Sequence, residues 1–179
     1  MNISRSSLIR LIVPMVIFIS YPLSAQTNSL QGLFGRGTSL DFNKVDIKSN
    51  TSSIRNTKGV GSWSGDVRAT TSDGTTLMCD KLEIFYHYEK TDEKKPVGDK
   101  VVATGNVRID KPGNENAAAI SATAERLEYN KADEMVILTG DPILKQGESI
   151  LKASKITYDV KEDDLSCENV KMDFVPEKR

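Results

Sequence analysis

The sequence is poor in the residues that metal sites and enzymes use most. Its 179 residues include one histidine, two cysteines and one tryptophan. His87, Cys79 and Cys167 together fall short of the four ligands that a structural zinc site requires. The 24 basic residues are balanced by 25 acidic ones, which excludes the basic excess typical of nucleic-acid-binding proteins. We therefore expect no metal, no cofactor and no nucleic acid partner.

A recognisable catalytic motif is also missing from the sequence. A nucleophilic triad needs an imidazole base, and His87 is better explained as an exposed or packing residue. The acidic pairs Asp92-Glu93 and Asp163-Asp164 lie in charged runs typical of solvated turns. The stretch Gly59–Gly61 lacks the Lys-Ser/Thr and the helix of a phosphate-binding loop. The sequence predicts a protein that is not an enzyme.

Charge is absent from one segment near the N-terminus. Leu11–Ala25 (LIVPMVIFISYPLSA) is uncharged, follows Arg5 and Arg10, and ends in two small residues. This layout is typical of a secretory signal peptide, and the run is shorter than the ~20 residues of a spanning helix. We predict a signal peptide at residues 1–25, cleaved after Ala25. An uncleaved membrane anchor is the alternative.

Export would place the two cysteines in an oxidising compartment. There Cys79 and Cys167 could form one disulfide, which would close a long loop and contribute about 4 kcal/mol in the chain-entropy model. Two separate buried thiols are the alternative. The sequence does not decide between them.

What the sequence does contain is a repeat of two alternating motifs. The first reads small, polar, basic, apolar, polar, apolar, and occurs at Cys79–Ile84, Ala124–Tyr129 and Ala153–Tyr158, with a weaker copy at Phe42–Ile47. The second, Gly-Asp/Asn followed by Val-Arg or a variant of it, occurs at Gly65–Arg68, Gly105–Arg108 and Gly140–Ile143, and without its glycine at Glu168–Lys171. The copies are unevenly spaced, which indicates inserted loops, at Tyr88–Asp99 and Lys111–Asn116, rather than a strict solenoid.

Within each copy of the first motif, apolar and polar residues alternate. Period two over short runs, separated by Asn, Asp, Gly and Pro, is typical of half-buried antiparallel strands. The small residue and the next apolar one, such as Cys79 and Leu82, are three positions apart, which breaks the alternation. A bulge or a strand bend would return both to one face, and the recurring glycine suits a bulge or a strand entry. The sequence predicts an all-β fold.

The alternation also divides the strand residues into two faces. The apolar face should consist of Val67, Leu77, Leu82, Ile84, Val107, Ile109, Leu127, Tyr129, Val136, Leu138, Ile143, Leu151, Ile156 and Tyr158. These side chains either only fill a core or also hold an apolar ligand between two layers. A recurrent basic position follows at Lys44, Lys81, Arg126 and Lys155. It is either a solvated strand face or a row near a groove mouth that meets anionic headgroups.

The ordered alternation of the two motifs behind a signal peptide resembles the LptA/OstA-like family of periplasmic lipopolysaccharide-transport proteins. The clearest segments are Ala103–Arg108, Ala122–Tyr129 and Leu138–Pro142. The resemblance implies a β-jellyroll, an open, twisted, V-shaped pair of antiparallel sheets built from repeated OstA-like units. We expect a flexible lead-in at residues 26–40, the OstA-like jellyroll domain at 41–175 and a frayed tail at 176–179.

For function, the resemblance implies a periplasmic carrier or bridge for lipopolysaccharide. Lipid A acyl chains would lie along the apolar face, and their headgroups would stay at the edge, near Lys81, Arg126 and Lys155. Copies would stack head to tail through exposed sheet edges, and would meet related β-domains of the inner- and outer-membrane transport components. Transfer would be passive. An inner-membrane-anchored, LptC-like acceptor of lipopolysaccharide and a structural β-module without lipid are the alternatives.

Overall fold

The computed structural model describes residues 45–88, 96–115, 118–162 and 164–173. The predicted signal peptide, lead-in and frayed tail lie outside these ranges, as do Lys44, Phe42 and the acidic pair Asp92-Glu93. Within the ranges, no helix has the length and hydropathy needed to cross a membrane.

Twelve antiparallel strands make up one sheet in the described part of the chain. They are β1 (Asp46–Lys48), β2 (Thr51–Arg55), β3 (Val60–Thr70), β4 (Thr76–Tyr88), β5 (Pro96–Lys111), β6 (Ile120–Asn130), β7 (Met135–Thr139), β8 (Ile143–Gln146), β9 (Ser149–Lys152), β10 (Lys155–Asp159), β11 (Asp164–Glu168) and β12 (Lys171–Asp173). A short 3-10 turn, Asn56–Lys58, joins β2 to β3.

The four long strands β3 to β6 run through two halves of this sheet, and each shorter strand extends only one half. In the first half the strand order is β1-β3-β4-β5-β6-β8-β9-β12. In the second half it is β2-β3-β4-β5-β6-β7-β10-β11. The chain therefore crosses repeatedly from one half to the other at a common line, which we call the bend.

The Gly-Asp/Asn motif forms the bend. The registers shift at Gly65-Asp66 of β3 and at Gly105-Asn106 of β5, and all four residues have positive φ. Gly140-Asp141, between β7 and β8, has the same backbone conformation. Glycine, asparagine and aspartate adopt left-handed backbone most readily. The motif is therefore a two-residue bulge that turns each strand from one half to the other.

Opposite the bulges, strand β4 places two consecutive residues outward, Asp80 and Lys81. As a result Cys79 and Leu82, three positions apart, lie in the same hydrophobic cluster. Ala124 and Leu127 of β6 do the same. The predicted return of both residues to one face is confirmed: the bulges lie in β3 and β5, and β4 and β6 bend opposite them.

The inner faces of the two halves share a single hydrophobic core. Its largest fully buried side chains come from both halves and include Val67, Val107, Leu82, Val136 and Tyr158. In the described residues no polar or charged side chain is buried. The predicted fold, an all-β jellyroll of open, bent antiparallel sheet, is confirmed.

The prediction that Ile143 lies on the apolar face is wrong. Ile143 pairs with the exposed Thr123, whereas Leu144 pairs with the buried Ala122 and packs against the core. The reason is Pro142, which is fully buried after the Gly-Asp pair. Because Pro142 takes the inward position of its motif, the next inward residue is Leu144, and Ile143 points outward.

The disulfide alternative is also wrong, because Cys79 and Cys167 are both free thiols. Cys79 lies in β4 and Cys167 in β11, with β5, β6, β7 and β10 between them in the sheet. Neighbouring strands are about 4.8 Å apart, so this separation far exceeds the ~7 Å between Cα atoms that a disulfide tolerates.

Candidate functional site

The apolar interior between the two halves is the candidate site. The residues predicted to meet acyl chains all belong to its core cluster or pack directly against it: Val67, Leu77, Leu82, Ile84, Val107, Ile109, Leu127, Tyr129, Leu138, Leu151, Ile156 and Tyr158. Leu77 and Tyr129 are half-buried, and the others are buried. The structure therefore brings the predicted set together, and its contact with lipid stays a prediction.

Sequence reasoning missed several residues that also line this interior. Small side chains on the first half, Ala69, Ala122 and Ala153 among them, are buried in the same cluster. Ile47 and Leu165, near opposite ends of the sheet, pack against it. The signal that could have found them is the same period-two alternation, counted outward from each bend in both directions.

The inner walls of the two halves differ in chemistry. The first half contributes aliphatic and small side chains, such as Val67 and Ile109. The second half carries the aromatic residues of the inner face: Trp63, Tyr86, Tyr88, Tyr129 and Tyr158. These are all the tryptophan and tyrosine residues in the described part of the chain. The interior therefore has one wall of aliphatic and small side chains, and a second wall on which aromatic side chains join aliphatic ones such as Leu82 and Ile156.

The predicted headgroup residues form one row across the second half. Lys81 and Arg126 both pair with Thr104, and Arg126 and Lys155 both pair with Thr139. The row lies beside the bend, on the outer face, because each cation alternates with an inward neighbour in its strand. These side chains therefore point away from the apolar interior.

Each cation of this row has a carboxylate partner on the same face. The distances are 2.8 Å from Lys81 Nζ to Glu83 Oε1, 2.8 Å from Arg126 Nη2 to Glu128 Oε2, and 3.1 Å from Lys155 Nζ to Glu168 Oε1. Hydrogen bonds from Lys100 and Arg126 lower the pKa of Glu128. This geometry agrees with the alternative interpretation, in which the basic row is a solvated strand face. Contact with headgroups stays a prediction that the geometry does not support.

His87 and Cys79 lie in different environments. His87 is exposed on the outer face of β4, and its Nδ1 is 2.8 Å from Asp99 Oδ1, so its interpretation as an exposed residue is confirmed. Burial raises the pKa of the Cys79 thiol to about 11, with a smaller contribution from the charge of Asp80. The described residues contain no group of three or more His, Cys, Asp or Glu that could hold a metal ion.

Both ends of the sheet carry exposed apolar side chains. At one end, every residue of β2 is exposed, and Ile54 has 63% of its surface accessible. At the other end, Val170 and Met172, at β12, are each 50% exposed. β2 pairs only with β3, and β12 pairs only with β9, within the described ranges. β1 and β11 likewise have one partner each in these ranges, so β1, β2, β11 and β12 are the sheet edges at which a further strand could add.

Comparison with known proteins identifies relatives of this fold and sequence. The chain is 31% identical over 155 residues to the protein RP507 of Rickettsia prowazekii (strain Madrid E), covering 86% of this chain and 93% of that protein. The fold is similar to the crystal structure of LptH from Pseudomonas aeruginosa, the LptA-homologous periplasmic component of its lipopolysaccharide transport device, with a TM-score of 0.60. That match has 15% identity and covers 74% of this chain and 95% of LptH.

A family assignment follows from the sequence itself. Residues 46–164, about two thirds of the chain, match the family described as LptA/(LptD N-terminal domain) LPS transport protein. The match spans the three clearest copies of each motif and ten complete strands, from β1 to β10. This chain therefore belongs to the LptA/(LptD N-terminal domain) family of LPS transport proteins.

Proposed function

We propose that this protein is a periplasmic carrier of lipopolysaccharide, which holds the acyl chains of lipid A in its interior and passes them from the inner to the outer membrane. The observation that carries the proposal is the apolar interior of an unclosed sheet in a member of this family. The half-buried residues Leu77, Tyr129, Leu144 and Leu165, which pack against the core, are where an acyl chain would enter.

The chemistry of the interior suits passive transfer. Burial of each methylene contributes about 0.8 kcal/mol, and the hydrophobic effect has no preferred direction. An acyl chain can therefore slide along the walls without breaking hydrogen bonds, because no polar side chain in the described residues is buried there. The protein needs no catalytic step for this role, and any energy would come from its partners.

Edge-to-edge stacking would extend the interior from one copy to the next. β2 and β12 leave backbone groups free for strand addition, and Ile54 and Met172 supply exposed apolar surface at the two ends. The same edges would meet related β-domains of the inner- and outer-membrane transport components. We expect Ile54→Lys to reduce self-association in sedimentation equilibrium, and Thr123→Lys, on the outer face of the central strand β6, to leave it unchanged.

Site-specific photo-crosslinking tests lipid binding. A photoreactive phenylalanine replaces Leu77 or Tyr129 on the inner face, and in matched controls it replaces the adjacent outward residues Met78 or Glu128. Cells expressing each variant are irradiated, and adducts are detected with an antibody against lipopolysaccharide. We expect adducts from the inner positions only. Folded variants without adducts at either inner position would refute the carrier, and would leave a structural β-module.

A further inference from the structure

The β4–β5 hairpin extends past its neighbours at the rim of the second half. The pairing of β3 with β4 ends at Val60–Phe85, and that of β5 with β6 ends at Lys100–Asn130. The pairing of β4 with β5 continues to Tyr88 and Pro96. The residues after Phe85 on β4 therefore stand beyond the edge of the hydrophobic core.

Two tyrosines continue the inner face onto this projecting hairpin. Tyr86 and Tyr88 follow the buried Leu82 and Ile84 at even spacing, so they lie on the same face of β4. Their ring centroids are 5.7 Å apart and their planes are perpendicular, a favourable edge-to-face contact. Both lie outside the core cluster, and Tyr88 is 44% exposed. The rim thus presents aromatic surface that the protein's own core does not cover.

The turn between β2 and β3 lies beside Tyr86 and carries polar and cationic residues. The Tyr86 hydroxyl donates a hydrogen bond to Asn56 Oδ1 at 2.9 Å, and the Tyr86 backbone N–H donates one to the carbonyl of Gly59 at 2.8 Å. Lys58, the residue before Gly59, is exposed and has no carboxylate partner among the described residues. We call Asn56, Lys58, Tyr86 and Tyr88 the tyrosine lip.

The opposite rim, at the turns of the first half, has different chemistry. The β3–β4 turn there carries Asp73, which lies 3.6 Å from Lys111 Nζ. Thr71 and Thr75 donate hydrogen bonds to the same carboxylate, and no aromatic residue is present in the described turns at 71–75 and 112–115. At these turns the cation Lys111 is already paired with the Asp73 carboxylate, and a sugar would find no ring to pack against.

We propose that the tyrosine lip binds the phosphorylated sugar of the lipid, while the acyl chains extend from it towards the aliphatic first half. A sugar ring has an apolar C–H face that packs on an aromatic ring and hydroxyl groups that pair with an amide. A lysine ammonium is a common partner of phosphate. This assignment rests on the proposed function, since it names the part of the same ligand that the second half recognises.

Ligand binding by the purified protein tests the assignment with two probes. One probe is a deep-rough lipopolysaccharide, and the other is a fluorescent long-chain fatty acid without a sugar. We expect Tyr88→Ala to weaken binding of the lipopolysaccharide about three- to tenfold, the scale of one aromatic contact, and to leave fatty-acid binding unchanged. His87→Ala, on the outer face of the same hairpin and 57% exposed, is the matched control and should change neither.

The outcomes separate this assignment from the proposed function. Equal binding of the lipopolysaccharide by Tyr88→Ala and the native protein would overturn the lip and leave the carrier intact. Equal weakening of both probes would also overturn it, because the tyrosine would then act on the acyl chains. Failure of the native protein to bind either probe would overturn the carrier and the lip together.

A second variant tests the phosphate part of the assignment. Lys58 is exposed, so Lys58→Gln is expected to preserve the fold. We expect it to weaken binding of phosphorylated lipid A about threefold or more and to leave binding of dephosphorylated lipid A unchanged. Unchanged binding of both forms would overturn the contact between Lys58 and phosphate.

Discussion

Substitution of Gly105 by alanine tests whether the bulged bend holds the two halves of the sheet in place. Gly105 has a φ of 75°, which an L-residue adopts only with strain. A Cβ at this position would lie 2.3 Å from Asp80 Oδ2 and 2.9 Å from its Cγ. Asp80 would have to rotate away, and the 2.9 Å hydrogen bond that it accepts from Asn106 Nδ2 would be lost.

The expected cost combines these two effects. Left-handed backbone costs an L-residue about 1–2 kcal/mol, of which about 0.4–1 kcal/mol is offset because alanine restricts the unfolded chain. Loss of a hydrogen bond to a carboxylate costs about 1.5–3 kcal/mol. We therefore expect Gly105→Ala to lower the free energy of unfolding by about 2–4 kcal/mol, a large share of the ~5–15 kcal/mol of a typical domain.

Urea unfolding measured by fluorescence provides the assay. Trp63 is the only tryptophan, and it packs against the core on the second half, so its emission reports the loss of the interior. Gly74→Ala is the matched control: its φ is 84°, but a Cβ there would lie no closer than 3.4 Å to Pro112. It carries the strain without the clash, and we expect a loss of about 1 kcal/mol or less.

The double variant Gly105→Ala with Asp80→Ala separates the clash from the strain. Removal of the Asp80 carboxylate relieves the two shortest contacts, so the double variant should be more stable than the sum of the two single losses predicts. The reasoning would be refuted if Gly105→Ala were no more destabilising than Gly74→Ala. It would also be refuted if the two substitutions at the bend were additive.

Three further outcomes are expected from the interior and its surroundings. Leu82→Ala, at a side chain with 1% exposure, should cost about 2–5 kcal/mol in the same urea assay, and a loss below 1 kcal/mol would contradict its place in the core. A thiol reagent at neutral pH should label the half-buried Cys167 before Cys79, whose pKa of about 11 keeps it protonated, and equal rates would contradict that burial. Hydrogen bonds lower the pKa of Glu128 from its ordinary 4.5 in the folded state, so their stabilisation is present above that value and is lost as the pH falls through the folded-state pKa. Glu128→Gln should therefore cost about 0.2–1 kcal/mol at pH 7 and nothing in strong acid, as measured by urea unfolding at both pH values.

The fold was predictable because its signals are local. Alternation of apolar and polar residues defines a half-buried strand within five or six positions. The parity break between Cys79 and Leu82 indicated a bulge, and glycine with aspartate or asparagine beside it indicated the backbone that forms the bulge. Since the motif recurs, each copy supported the others.

One error had a local cause, and the other came from contacts between residues distant in sequence. Ile143 follows the same Gly-Asp motif as other inward residues, but the buried Pro142 displaces the alternation by one position. The disulfide between Cys79 and Cys167 depended on how many strands lie between them, and sequence spacing does not contain that number. Strand order is a property of pairing between segments, which local patterns do not encode.

The candidate site divides in the same way. The alternation along each strand shows which apolar residues face inward. Leu127 and Ile156 lie in the core cluster, as predicted. That the tyrosines gather on one wall, and that Tyr86 and Tyr88 project past the core, required the register of β4 against β3 and β5. The outward direction of the basic row beside the bend also required the pairing of its strands.

By itself, then, the sequence determined the strands, their two faces and the positions at which they bend, because these depend on side-chain alternation and on backbone freedom at neighbouring residues. Only the tertiary structure decided which strands are neighbours, where the sheet has free edges, and that the inward tryptophan and tyrosine side chains all lie on one wall of the interior. These features depend on hydrogen bonds and packing between residues far apart in sequence, such as Asp46 and Thr70, 24 positions apart, and Ile120 and Gln146, 26 positions apart. These long-range contacts together, rather than any single motif, make the two halves face each other across one apolar interior.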